Sequence, residues 1–352
     1  MEGNNKLLTI IVPAYNVEKY VGQCLNSLVK QTVDNHKVIV VDDGSKDEHT
    51  SRICREFAEQ YPEMITYLRQ ENKGLGAARN TGLALVDTEY VGFLDSDDWL
   101  TPNYVERVTE ELENFDSEQI DLIFTLPTIY DAVTQNTFDW YDKELLNQIF
   151  FTENRIVSAV EDKQIYYLEP NACRRIYRTD FLRTHQFRFP EGVKWEDIFP
   201  HFYLAYHASA CIGVNDVGFY YRTNTSGQIT AQSGKGRLDI VKVFRDVFRF
   251  AKEENCDWEI VEAMINMLNR YAKWCLDMSD LQTRPELVKK LSDLYRSLPP
   301  EMLKRYFKTR RNYKKERLFV WMMQKNRLRL LLCDYLPSEL SMNVVNRIRR
   351  AL

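Results

Sequence analysis

A chain of 352 residues can bury a large core and, on length alone, can hold about two domains. Its 44% hydrophobic and 28% charged residues are ordinary for a globular protein, and a net charge of −4 excludes a general nucleic-acid binder. The charge is uneven: residues 301–352 carry 14 Lys and Arg against 4 Asp and Glu, so the C-terminal end is basic and the rest acidic.

The seven cysteines are scattered with no CxxC pair, which suits reduced thiols. The first apolar run, Leu7 to Val12, is too short for a signal peptide, and no run approaches the roughly 18–20 apolar residues of a membrane span. The expectation is a cytoplasmic protein, with membrane contact limited to its periphery. Neither an internal repeat nor a low-complexity segment is present.

In chain order, Leu7–Val12 is a continuous β-prone run that ends at Pro13-Ala14-Tyr15-Asn16. Tyr20, Val21, Cys24, Leu25, Leu28 and Val29 then recur at helical spacing. Val38–Val41 predicts a second strand, ending in Asp42-Asp43-Gly44-Ser45, and a helix with Ile53, Cys54, Phe57, Ala58 and Tyr61 on one face follows. Ile65–Leu68 predicts a third strand, ending in Gln70-Glu71-Asn72-Lys73-Gly74, then a helix from Leu75 to Val86. Tyr90–Leu94 predicts the fourth strand, which runs straight into Asp95-Ser96-Asp97-Asp98.

Strands that are apolar throughout and alternate with helices imply a parallel sheet covered on both faces. Ligands of such sheets bind outside the carboxyl ends of the strands, and all four polar clusters fall there. Asp95 and Asp97, two apart at a strand end, can converge on one hard cation such as Mg²⁺ or Mn²⁺. An acidic turn capping the helix after Thr101-Pro102 is the alternative. Gly74-Leu75-Gly76-Ala77-Ala78-Arg79 imitates a dinucleotide fingerprint. It lacks the third glycine and follows the third strand, so an NAD site is rejected.

Beyond that point a helix carries Tyr104, Val105, Val108, Leu112 and Phe115, and Asp121–Phe124 predicts a strand. Residues 130–168 read as irregular and aromatic, serving packing or lining an acceptor groove. A helix through Ala208 leads to a strand at Gly218–Arg222, and the loop Thr223–Gly236 reads as mobile. From Arg237 onward the pattern is helical, with Ile240, Val243, Phe244, Val247 and Phe248 as one apolar stripe and Val261, Met264, Ile265, Leu268, Tyr271 and Ala272 as another. Segments 304–317 and 325–330 are basic, either as a solvated helix face or as a contact for anionic lipid or an acidic partner.

Ile10-Ile11-Val12-Pro13-Ala14-Tyr15-Asn16, Val41-Asp42-Asp43-Gly44-Ser45, Asn72-Lys73-Gly74 with Ala78-Arg79-Asn80-Thr81-Gly82, Phe93-Leu94-Asp95-Ser96-Asp97-Asp98 and Trp195-Glu196-Asp197-Ile198-Phe199 stand in this order along the chain. In order, spacing and strand context these motifs resemble family 2 inverting glycosyltransferases with the GT-A fold. The resemblance covers about residues 7–230 and implies an α/β fold, Rossmann-like with a mostly parallel sheet and helices on both faces. It places a nucleotide-sugar half in about 1–100, an acceptor half in about 101–236, and a helical region in 237–352. It further implies that Pro13 and Tyr15 lie by the uracil and ribose of a UDP-sugar, and that Asp43, or Asp42 beside it, accepts from the uracil N–H. Asn72, Gly74 and Arg79 complete the base and phosphate contacts. Asp95 lies toward the ribose and the metal, Ser96 counts among the donor-binding residues, and Asp95 and Asp97 hold Mn²⁺ or Mg²⁺. Asp197, paired with Glu196, is the base, and Arg222 with the loop after it closes over the diphosphate. His201 and His207 are read as structural.

The function implied is transfer of a sugar to a hydroxyl of a lipid-linked or protein-linked saccharide, in bacterial surface polysaccharide or glycoprotein glycan synthesis. The enzyme would be cytoplasmic, associated with the membrane through its basic end, or a homodimer. Two other readings stand beside it. One is a catalytically silent subunit of the same fold that serves as an assembly partner. The other is a sugar nucleotidyltransferase, which should carry a Gly-rich, Arg-containing loop where Pro13-Ala14-Tyr15-Asn16 stands.

Overall fold

In the computed structural model, residues 6–115, 119–152, 155–225, 233–309 and 314–324 are described. The chain divides into two compact units, Met1–Gln228 and Ile229–Leu352.

The first unit is built on one nine-stranded sheet. Its strands are β1 (Leu8–Ala14), β2 (His36–Asp42), β3 (Ile65–Arg69), β4 (Tyr90–Phe93), β5 (Trp99–Leu100), β6 (Leu122–Asp131), β7 (Thr137–Asp139), β8 (Arg175–Arg178) and β9 (Cys211–Thr223). They lie in the order β3-β2-β1-β4-β8-β6-β9-β5, with β7 paired to β6. The first four strands are parallel, as their unbroken apolar runs require, and every residue of β1 is buried. Past β4 the sheet is mixed: β8 runs antiparallel to β4 and β6, β9 parallel to β6, and β5 antiparallel to β9.

Interleaved are α1 (Val21–Val29), α2 (Glu48–Gln60), α3 (Leu75–Leu83), α4 (Tyr104–Asn114), α5 (Lys143–Phe150), α6 (Thr179–Thr184) and α7 (Ile198–His207). Helix α1 buries Val21, Cys24, Leu25 and Leu28, the expected stripe. Helix α2 buries Thr50, Ser51 and Cys54, a more polar face than the pattern suggested. The reason lies beneath it, where the Ser51 hydroxyl bonds the buried Asp42 carboxylate. Residues 130–168, expected to be irregular, contain β7, α5 and a 3₁₀ turn at Lys163–Tyr167. Leu146, Ile149 and Phe150 are the buried face of α5, a one-sided stripe short enough to be lost among the surrounding aromatics.

The second unit is helical: α8 (Asp239–Glu253), α9 (Trp258–Met278), α10 (Arg284–Ser297), α11 (Pro300–Thr309) and α12 (Lys314–Gln324). The stripes on α8 and α9 supply much of its core. A polar knot crosses that core. Tyr295 donates to Asn269 Oδ1 at 2.6 Å, and Asn269 Nδ2 and the Tyr306 hydroxyl both donate to Glu316 Oε1 at 2.6 Å. The basic segment 325–330 and most of the loop after Thr223 lie outside the described residues. Among the described residues no helix is long and apolar enough to cross a membrane.

Candidate active site

The crevice forms where β1 and β4 part. Their ladder runs to Ile11 and Phe93, with Leu94 N–H donating to Ile11 C=O at 3.0 Å. Pro13, two residues on and on the same side of β1, has no N–H to offer, so the ladder stops there. On the other side β1 stays paired to β2 through Ala14 and Asp42. Pro13 is therefore a buried part of the strand. Tyr15, next but one, is exposed at the strand end.

The two aspartates after β2 divide their labour. Asp42 is fully buried. Ser45 N–H donates to its Oδ1 at 2.8 Å, while Ser51 and Tyr67 (3.1 Å) donate to its Oδ2. Burial alone would raise its carboxyl, but these bonds more than offset that and hold it below the usual range. Asp42 thus fastens the loop to α2 and β3. Asp43 gathers the third strand end. Gln70 Nε2 (2.7 Å) and Lys73 N–H (2.9 Å) donate to Oδ1, and Asn72 Nδ2 (3.1 Å) and Gly74 N–H (2.8 Å) to Oδ2. Gly44 permits this closeness: it sits at φ +71°, and a Cβ there would fall 2.8 Å from Asn72 N.

Helix α3 starts at Gly74 (φ +91°) and carries Arg79 into the centre of the site. Its small residues let two backbones approach. A Cβ on Gly82 would lie 2.6 Å from Ile11 Cγ2, and one on Gly76 would lie 2.2 Å from Pro190 O. The Asn80 amide completes the dock, donating to Phe189 O at 2.9 Å and accepting from Phe189 N–H at 2.8 Å. Residues 189–191 are thereby held on α3, and the chain re-enters the site a few residues later. Trp195, at φ +68°, makes the turn that presents Glu196 and Asp197 at the start of α7.

The resulting contact is the centre of the arrangement. Arg79, 2% exposed, donates from Nη2 to Asp95 Oδ1 at 2.9 Å and from Nη1 to Glu196 Oε1 at 2.7 Å. Its guanidinium also lies 5.8 Å from the Phe93 ring centre and 5.3 Å from that of Phe189. Arg79 thus joins the acidic loop to the Glu-Asp pair. Asp197, half-buried beside Glu196, has its carboxyl pushed well above the usual range, first by burial and then by the Glu196 charge, against the opposing pull of Arg79 and Arg175.

The acidic loop is anchored at both ends in the sheet, by β4 before it and by β5, paired to β9, after it. Arg222 on β9 clamps it. Its N–H donates to Asp98 Oδ1 (2.7 Å), its Nε to Asp97 O (2.7 Å) and its Nη2 to Gln23 Oε1 (2.7 Å), and the rings of Trp99 and Tyr20 lie 4.4 and 4.9 Å from its guanidinium. Arg222 thus braces the loop. Ser96 is buried within the loop. Burial, then Asp95, raises the Asp97 carboxyl to about 6, and burial raises Asp98 well above its usual value. Asp98 Oδ2 is buried without a hydrogen-bond partner among the described residues.

This cluster of carboxylates, with Asp95 and Asp97 half-buried and Asp98 buried, suits a divalent cation at Asp95 and Asp97. Among the described residues no cluster of three or more His, Cys, Asp or Glu could hold a metal. Two carboxylates with phosphate oxygens completing the shell is the usual manner of Mg²⁺ and Mn²⁺, so the residues fit. His201 is structural: its Nδ1 accepts from Arg175 Nη2 at 2.5 Å, and its Nε2 donates to Tyr166 O at 3.1 Å.

Sequence reasoning gave no role to Gln70, Asn80, Gly76 and Phe189, which assemble the site by hydrogen bonds and close packing. The run Gly76-Ala77-Ala78-Arg79-Asn80 carried a signal for them, and it signals close packing without naming the partner.

The family described as Glycosyl transferase family 2 matches residues 9–160. Glycosyltransferase GlyG of Streptococcus pneumoniae is 31% identical over 249 residues, 68% of this chain and 79% of GlyG. The chain belongs to this family. Glycosyltransferase GlyA of the same organism is 46% identical over 111 residues, 32% of this chain but only 16% of GlyA. The first 349 residues of S. aureus TarS, solved in complex with UDP, superpose with a TM-score of 0.68 at 20% identity, covering 94% of this chain and 91% of that one. At that identity the likeness concerns the fold, which is mixed α/β with a helical C-terminal region.

Proposed function

We propose that this family 2 chain is an inverting glycosyltransferase. It moves a sugar from a UDP-sugar to a hydroxyl of a glycan acceptor in surface polysaccharide or glycoprotein glycan synthesis. The observation that carries the reading is the Asp95–Arg79–Glu196 bridge, which joins residues 101 apart in sequence and sets the Asp197 base beside the acidic loop. A UDP complex of a protein of similar fold supports the choice of donor. The catalytic domain is assigned to 1–236.

The acceptor hydroxyl gives its proton to Asp197 as its oxygen bonds to the anomeric carbon, and UDP departs from the opposite face. A single displacement inverts the configuration. Asp197 must be ionised to act, and the Glu196 charge raises its proton affinity, which strengthens it as a base. Arg79 keeps that affinity within bounds and holds Glu196 in place. A divalent ion bound by Asp95 and Asp97 supplies Lewis-acid neutralisation of the leaving diphosphate. Tyr15 flanks the base and ribose at the mouth of the crevice. Asp43 takes the uracil N–H. Its four acceptor positions are already filled, so the nucleobase displaces a side-chain amide, that of Gln70 or Asn72.

The test is a panel of nucleotide sugars with Mn²⁺, comparing wild type with Asp197→Asn. Consumption of one UDP-sugar by the wild type alone is expected. Metal-dependent UDP binding without turnover of any donor would favour the silent-subunit reading.

A further inference from the structure

We infer that Tyr141 and Glu169 form a saccharide-binding subsite at the rim of the active site, with the Tyr141 ring as the stacking face and Glu169 as the acceptor of sugar hydroxyl bonds. The inference rests on the glycosyltransferase reading and specifies where that enzyme holds its acceptor.

Tyr141 is 70% exposed, yet it is not a loose surface side chain. Its ring packs at 5.3 Å, tilted by 54°, on Trp140, which is buried. Trp140 in turn meets Tyr221 edge-on at 5.4 Å and lies 5.7 Å from the Arg174 guanidinium. The Tyr221 hydroxyl is within electrostatic reach of Asp98, Asp95, Tyr141 and Asp97. The exposed ring is therefore linked, through the buried Trp140 and the half-buried Tyr221, to the loop where the donor phosphates would lie.

Asp142 is the knot that holds the subsite. It stands at the N-cap of α5, where an aspartate ordinarily bonds the first free N–H groups, but it makes no side-chain cap. Its carboxylate instead accepts from Arg174 Nη1 at 2.7 and 2.9 Å and from the Glu169 backbone N–H at 2.5 Å. Those bonds pin the neighbours, Tyr141 and Glu169, side by side, and Glu169 lies within electrostatic reach of the Tyr141 hydroxyl. Arg174 is fully buried, and its Nε and Nη2 have no hydrogen-bond partner among the described residues. Forgoing a cap and burying a cation with two open donors both cost stability, a pattern expected where a local structure serves a ligand. An exposed, oriented aromatic ring beside a carboxylate suits a pyranose, which offers an apolar C–H face and a rim of hydroxyls.

The experiment is saturation-transfer NMR on the full chain with saturating UDP and Mn²⁺. The probes are the methyl β-glycosides of glucose, galactose, N-acetylglucosamine and N-acetylgalactosamine, and UDP binding is measured by calorimetry on the same samples. At least one glycoside should be saturated by the wild type. Its binding should weaken about tenfold in Tyr141→Ala, weaken in Glu169→Gln and persist in Tyr141→Phe, with UDP affinity unchanged in all three. No saturation of any glycoside by the wild type, or equal saturation in Tyr141→Ala, overturns the subsite while UDP binding leaves the transferase reading intact. Loss of UDP binding in the wild type overturns both.

Discussion

Arg79→Met removes the only cation that Asp95 and Glu196 are shown to share, and leaves two acids facing a site that already holds Asp97, Asp98 and Asp197. The two arms of the bridge are unequal. Asp95 is 27% exposed, so water takes up part of its loss, whereas Glu196 is 9% exposed and left with a buried, unpaired charge. Stripping one partner from a buried ion pair typically costs about 3–5 kcal/mol, and the Glu196 arm should account for most of it. The Phe93 and Phe189 rings also lose their cation, a smaller effect of about 1 kcal/mol. Since the chain has two compact units, the change should be read in the first one, by urea-dependent amide exchange of residues 75–83. Adding Glu196→Gln to Arg79→Met should restore about 1–3 kcal/mol, because the orphaned charge is gone. A loss below about 1 kcal/mol, or a double variant no more stable than Arg79→Met, would refute the claim that this bridge organises the site.

Asp197→Asn should abolish transfer yet leave UDP affinity intact; residual transfer at the wild-type rate removes Asp197 from the base role. The same substitution bears on stability. A carboxyl raised in the folded state contributes stability that is present at low pH and lost as pH rises through its folded pKa. Asp197→Asn should therefore be more stable than wild type near pH 8, with the gap closing toward pH 4, as thermal melts at several pH values would reveal. Asp97→Ala should lose both its response to Mn²⁺ and its activity, and unchanged metal dependence would move the ion elsewhere. Gly76→Ala places a Cβ 2.2 Å from Pro190 O, a backbone atom, and should destabilise the first unit by about 1–3 kcal/mol; a neutral result in urea would show that 189–191 are free to yield. In the helical unit, Glu316→Ala removes the carboxylate that accepts from Asn269 and Tyr306 and should cost about 1–3 kcal/mol by the same measurement, with no change in UDP binding.

Strands β1 to β4 and their polar ends were legible because each is a short apolar run closed by residues that cannot continue a strand, and a parallel sheet collects such ends on one side. The acidic loop and the Glu-Asp pair were legible as chemistry. Their physical connection was not. Arg79 reads in sequence as one more basic residue at a helix start, and nothing local says that a guanidinium will be buried between carboxylates 16 and 117 residues away. That depends on Asn80 and Gly76 docking residues 189–191, a long-range fit whose only local trace is the run of small residues. The mixed half of the sheet was obscure for a similar reason. β5 is two residues long and β9 is interrupted by register shifts against β6, so neither shows a period. Residues 130–168 concealed α5 because aromatic residues blur both the helical and the strand period.

The site shows where evolution of this chain can vary and where it cannot. The donor side hangs on strand ends and on hydrogen bonds to backbone N–H groups, as at Asp43, where Lys73 and Gly74 donate through the main chain and their side-chain identity matters little. The Arg222 clamp likewise holds Asp97 and Asp98 through main-chain atoms on one side of each bond. The rim that carries Tyr141 and Glu169 is different: there the side chains of Trp140, Asp142 and Arg174 hold one another, with Tyr141 exposed and Glu169 half-buried beside it. Exchanging those two groups would leave the acidic loop and the Arg79 bridge untouched. A fold arranged this way can keep its transfer chemistry fixed on the sheet while acceptor preference changes by substitution at the rim. The Tyr141→Ala measurement tests this separation, because it requires glycoside binding to fall while UDP affinity holds.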